Sequence, residues 1–134
     1  MARSVYPYLP TWLDRHFRKA FALLPAGDQE DCEQRLADLV AALRACSHPA
    51  MDPQLRPWRP SHYRGVTKLR EGHLVEYRFM PGTMRVIACY FDHDDRILLV
   101  TATLTHDHGR MQRLIKEHGK ALSMYGPDDE PSEG

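Results

Sequence analysis

Apolar and polar residues alternate with a period of two in three successive stretches: Leu74 to Phe79, Met84 to Asp92, and Arg96 to Thr103. A period of two is the mark of a β-strand with alternating faces, and the gaps around Pro81-Gly82 and Asp94-Asp95 carry turn chemistry. Gaps this short leave no room for a helical crossover, so the pattern predicts an antiparallel meander. Arg78 and Arg85 then fall near facing strand ends, where one phosphate-bearing ligand could reach both.

Helical spacing brackets this core. Trp12, Leu13, Phe17, Phe21 and Leu24 predict a first helix from Thr11, with Thr11 and Asp14 in capping-box spacing, closed by Pro25-Ala-Gly27. A second helix opens at Asp28, where Cys32, Leu36, Leu39, Val40, Leu43 and Cys46 recur at spacings of three and four. Its acids crowd the first turns, and Arg44 and His48 lie at its end, matching the macrodipole. A third helix is expected over roughly 107–124, with Met111, Leu114, Ile115, His118 and Leu122 on an apolar edge. Arg110, Arg113, Lys116 and Lys120 would make the opposite face basic. Ser4 to Pro10 holds two prolines, so any strand there must lie at an edge. The expected fold class is α+β: an N-terminal helical hairpin packed on a small antiparallel meander, with a C-terminal basic helix.

Residues 47–65 form a connection with four prolines, long for a compact domain. Leu55 and Trp58 are expected to pin it to the body. It reads either as a proline-stiffened spacer or as a flap in which Arg56, Trp58, Arg59, His62, Tyr63 and Arg64 stack bases and contact phosphates, as single-stranded RNA recognition does.

The chain has 134 residues and a formal net charge of zero, which weighs against a nucleic-acid partner. The average conceals an asymmetry. Asp128, Asp129, Glu130 and Glu133 lie in the last eight residues, so residues 1–126 carry 18 basic and 14 acidic side chains, a net of +4. We expect a single domain over 1–126 and a disordered acidic tail over 127–134. Cys32, Cys46 and Cys89 lack metal-like spacing and read as small buried hydrophobes. Neither a signal peptide nor an apolar run approaching the roughly 20 residues of a membrane span is recognisable, so no membrane association and a reduced, cytoplasmic setting are expected.

Thr105-His-Asp-His-Gly-Arg110 marks the handover from the third meander strand to the last helix. Histidine is the side chain most easily poised as acid or base near neutral pH. His106 and His108, with His93, Asp94 and His118, offer a metal site in one reading, but the pattern supplies no firm third ligand and no cofactor is expected. In another, Asp107 merely caps the helix. In a third, the segment serves RNA cleavage: a 2′-hydroxyl attacks the adjacent phosphate, and the site needs a base, an acid and cations around the phosphorane. His106 or His108 with Arg78, Arg85 and Arg110 could supply that set.

The order of a helical hairpin, Leu74-x-Glu76-x-Arg78, Met84-Arg85-Val86-Ile87 before Asp92, Arg96-Ile-Leu-Leu99 and a basic helix resembles the RelE/ParE toxin superfamily. Within it, the similarity is to HigB-like and phage-derived RelE-like members. The resemblance is best over 69–124. It implies a type II toxin that cuts mRNA on the ribosome without metal and is neutralised by a cognate antitoxin protein. It further implies that Arg85 is the phosphate-stabilising arginine, with Arg110 or the histidines in the second catalytic stretch. Leu74 and Glu76 stand where RelE-type enzymes carry lysines, so Glu76 becomes a possible base. Trp58, Arg59, Arg113, Lys116, Lys120 and Tyr125 would contact RNA, with Trp58 or Tyr125 stacking a base. Two alternatives stay open: a ParE-like inhibitor of gyrase, and a non-catalytic protein-binding module of the same fold.

Overall fold

The computed structural model describes residues 2–59, 66–79, 84–104 and 108–123, with His108 described in its backbone only. The readings placed on Pro60 to Gly65, His106, Tyr125 and the acidic tail lie outside the described residues. Among the described residues there are five strands and three α-helices, β1 (Ser4–Pro7), α1 (Arg15–Ala22), α2 (Ala26–Ala45), β2 (Val66–Lys68), β3 (Gly72–Arg78), β4 (Arg85–Phe91), β5 (Arg96–Thr103) and α3 (His108–Ser123), with a single 3-10 turn at Pro53–Leu55. No described helix is long and apolar enough to cross a membrane.

The strands form one sheet in the order β1-β5-β4-β3-β2. The meander is antiparallel as expected, in β3, β4 and β5, but the whole sheet is mixed because β1 runs parallel to β5. Two helices separate β1 from the meander, so the chain can return in either direction, and strand alternation alone could not choose. At the other edge lies β2, a three-residue strand that its sequence did not signal. It is too short for a period to register.

Each helix boundary has a local cause. The Asp14 carboxylate accepts a hydrogen bond from the Phe17 amide at 3.0 Å, so α1 begins at Arg15, four residues after the predicted start at Thr11. Thr11 turns inward instead and donates its hydroxyl to the Val100 carbonyl. The side-chain amide of Gln29 donates to the carbonyls of Phe21 and Leu24, tying the end of α1 to the start of α2. At the far end of α2, Arg3 on the approach to β1 donates to the carbonyls of Cys46 and Ser47 at 3.0 and 2.7 Å. Helix end and edge strand are thereby joined.

The sheet is covered on both faces. On one, Val75, Tyr77, Val86, Ala88, Ile97 and Leu99 pack with Phe17, Leu39 and Leu43 of the helical hairpin. On the other, Leu74, Ile87, Cys89, Leu98 and Val100 pack with Leu122, Met111 and Ile115 of α3. The central strands β4 and β5 are therefore buried along nearly their whole length. The 47–59 connection is pinned as expected, with Leu55 buried and Trp58 packed against the hairpin-side core. A buried hydrogen bond of 2.6 Å from the Tyr77 hydroxyl to the Pro49 carbonyl adds to this.

Candidate functional site

Side chains two apart on a strand share a face, so Glu76 and Arg78 of β3 point to the α3 side of the sheet. Arg78 pairs directly with Arg85 in the β3–β4 register, and Arg85 in turn pairs with Thr103 of β5. The two arginines thus stand side by side on one face, away from the hairpin. Oε1 of Glu76 is 3.1 Å from Nε of Arg85 and 3.9 Å from Nε of Arg78. The Arg85 Nε–H forms no aligned hydrogen bond, so its contact with Glu76 is one of charge with charge. The three side chains are 31% (Arg78), 19% (Arg85) and 22% (Glu76) exposed. They are therefore held by the sheet yet open to a ligand from solvent.

Like charges directly opposed across an antiparallel pair cost stability. Among the described residues the Glu76 carboxylate lies against both guanidiniums and offsets part of that cost. Such an arrangement is prepared for an anion, and guanidinium forks match phosphate oxygens.

The surroundings are built by three elements. From the 47–59 connection, Arg59 donates to the Glu76 carbonyl at 2.9 Å, and the Trp58 carbonyl accepts from the Arg78 amide at 2.8 Å. These contacts extend the β3 edge beyond β2 and bring Trp58 and Arg59 against the backbone of Glu76 and Arg78, with the Trp58 side chain packed in the hairpin-side core, across the sheet from the Glu76, Arg78 and Arg85 side chains. The Arg59 guanidinium also sits 6.0 Å from the centre of the Tyr77 ring. On the α3 side, a narrow cleft of about 80 Å³ is lined by Glu76, Leu74, Ile87, Thr67, Met111 and Ile115. The segment bearing His106 joins β5, next to Arg85, to α3. His106 lies outside the described residues, as does the side chain of His108.

Along α3, Arg113, Lys116 and Lys120 are exposed, as the basic face requires. Arg110 is not part of that face. It lies one turn before Leu114 on the inner stripe of the helix and is 8% exposed. Its guanidinium bonds to the Thr101 hydroxyl at 3.1 Å and to the Asp14 carboxylate. It therefore joins α3 to β5 and to the cap of α1, and it drops out of the set available to nucleic acid. Sequence spacing could have found this, since Arg110, Leu114 and His118 recur every four residues.

A second cluster lies at the opposite end of β3. His73 stacks on Tyr90, its register partner, with ring centres 4.8 Å apart, and its Nε2 contacts both Asp92 carboxylate oxygens at 2.9 and 3.0 Å. That hydrogen bond is the first cause holding the Asp92 carboxyl below its usual range. His48 meets the same Tyr90 ring edge-on, and burial pushes its pKa down. The three cysteines have raised pKa values, with burial the first cause in each, and Cys89 is pushed up to about 12. They are thiols packed as apolar groups rather than nucleophiles. Among the described residues no group of three or more His, Cys, Asp or Glu side chains is placed to hold a metal ion.

No protein-family model matches the chain, and no curated protein matches it. Among solved structures it is similar to the crystal structure of the isolated E. coli RelE toxin. The two share 9% identity with a TM-score of 0.41, over 87% of this chain and 98% of that one. A similarity this distant transfers no residue roles.

Proposed function

We propose that this protein is the toxin of a type II toxin-antitoxin pair, an endoribonuclease that cleaves mRNA at the ribosome. The observation that carries the reading is the directly opposed Arg78–Arg85 pair on the partly open face of the sheet. In the proposed reaction a 2′-hydroxyl attacks the adjacent phosphorus, the phosphorane gathers negative charge, and the bond to the 5′-oxygen breaks. Arg85 and Arg78 stabilise that charge. A preorganised donor of this kind typically contributes about a hundred- to a thousandfold in rate. Glu76 accepts the 2′-hydroxyl proton, and His106 or His108 donates a proton to the leaving 5′-oxygen. Trp58, Arg59 and the exposed stripe of Arg113, Lys116 and Lys120 hold the flanking RNA, with Tyr125 a further stacking partner. The antitoxin is a separate protein that covers this surface.

The Glu76 carboxylate favours a second reading. Placed 3.1 Å from Arg85, it competes with a phosphate for the same charge, which suits a non-catalytic binding module or a gyrase-inhibiting relative. Induced expression of the wild type and of Arg85→Ala separates these. Rapid loss of full-length messages in the wild type alone supports the ribonuclease. DNA damage with intact messages identifies a gyrase inhibitor, and identical growth and message profiles identify a binding module.

A further inference from the structure

A second, larger cleft of about 300 Å³ lies between the entry to α1 and the flank of α3 that carries Arg110, Leu114 and His118. Its walls are polar and charged. Arg113 and His118 approach from α3, His16 from α1, and Arg110 lies along it, nearly buried.

The acids at this cleft are unequal. Both oxygens of Asp14 are engaged, Oδ1 by the Phe17 amide and Oδ2 by Arg110, so its charge is neutralised from within. Glu117 is 68% exposed and reaches His118 Nε2 only at 4.0 Å. His118 is held in place from the other side, its Nδ1 3.1 Å from the Tyr8 hydroxyl, with the two rings edge to face. Facing the cavity are then one guanidinium, Arg113, two imidazoles on two different elements and the exposed Glu117 carboxylate, around a space large enough for a small ligand. A tetrahedral oxyanion can be met from both walls at once, and an arginine fork matches two of its oxygens.

We propose that this cleft binds a phosphate group, either as inorganic phosphate or as the monoester of a mononucleotide. The site is separate from the Arg78–Arg85 pair and independent of whether that pair cleaves RNA. Its ligand contacts are Arg113, His16 and His118. Arg110 and Asp14 act as positioning residues that keep the two walls together.

The test is titration calorimetry of the full chain at neutral pH, in an Arg85→Ala background that disables the sheet site, with inorganic phosphate, adenosine monophosphate and acetate. One-to-one binding of inorganic phosphate and of the nucleotide, with none of acetate, is expected. Loss of one charged hydrogen-bonding partner should weaken binding by about tenfold or more in Arg113→Ala. His16→Ala, at an exposed position that leaves the packing intact, should weaken it by a similar factor. Arg44→Ala, exposed at the end of α2, should leave it unchanged. Failure of the Arg85→Ala background to bind phosphate, equal binding of acetate, or an equal loss on Arg44→Ala would each overturn the proposal. So would a nucleotide that binds where inorganic phosphate does not.

Discussion

Arg78 and Arg85 are directly opposed partners across β3 and β4, and the Glu76 carboxylate lies against both. Two guanidiniums in register cannot be explained by sheet stability, because like charges at facing positions repel. The carboxylate moderates the repulsion without cancelling it. One consequence of this packing, and three of contacts elsewhere in the fold, can be measured.

Replacing Glu76 by Gln removes the counter-charge and keeps the shape. Stability to urea should fall by about 1 kcal/mol, the scale of a partly exposed ion pair. Affinity for a short single-stranded RNA, read by fluorescence anisotropy, should rise. If cleavage disappears while affinity rises, Glu76 is the base; if cleavage survives, its part is electrostatic only.

Removing Arg110 should act on folding. Arg110→Ala leaves the Asp14 carboxylate without its buried partner, and Arg110 itself bridges three elements, so a loss of about 2–4 kcal/mol is expected in chemical denaturation. Asp14→Ala should cost a comparable amount, since it strands the guanidinium and removes the α1 cap. The double variant should lose clearly less than the two single losses added together. Additive losses would show that the two side chains act separately.

Tyr77→Phe deletes the hydroxyl that donates to the Pro49 carbonyl in a fully buried setting. An unsatisfied buried carbonyl costs about 1–3 kcal/mol, and the melting temperature should fall accordingly. The Arg78 amide bond to the Trp58 carbonyl ties the same connection to β3, so amide exchange at Arg78 should quicken along with it.

His48 predicts a pH dependence. Its Nδ1 accepts from the Ala50 and Met51 amides, which requires a neutral ring on that side, and burial depresses its pKa below 6.5. The unfolded chain then takes up the proton more readily than the folded one. Stability contributed here is complete above about 6.5 and declines as pH falls from there to the lowered value. His48→Asn keeps a side-chain acceptor for this turn and should flatten the slope in that window, measured by urea midpoints across pH. The depressed carboxyls of Asp52 and Asp92 contribute above the carboxylate range and are lost only as pH falls further, so the two phases should separate.

Period and turn chemistry by themselves determined the three meander strands, whose bounds agree with the expectation to within two residues at each end, and the last helix. They also placed Arg78 and Arg85 near facing strand ends, because a short turn fixes direction and direction fixes which positions can meet. Only the tertiary structure decided what lies on each face. Burial of β4 and β5 on both sides, the parallel return of β1, and the edge contacts of Trp58 and Arg59 join segments far apart in sequence, and no local period carries information about such partners. Arg110 is the sharpest case. As a residue type it belongs among the surface cations, but one turn of helix places it beneath Leu114's stripe, where Asp14, 96 positions away, makes burial of its charge tolerable.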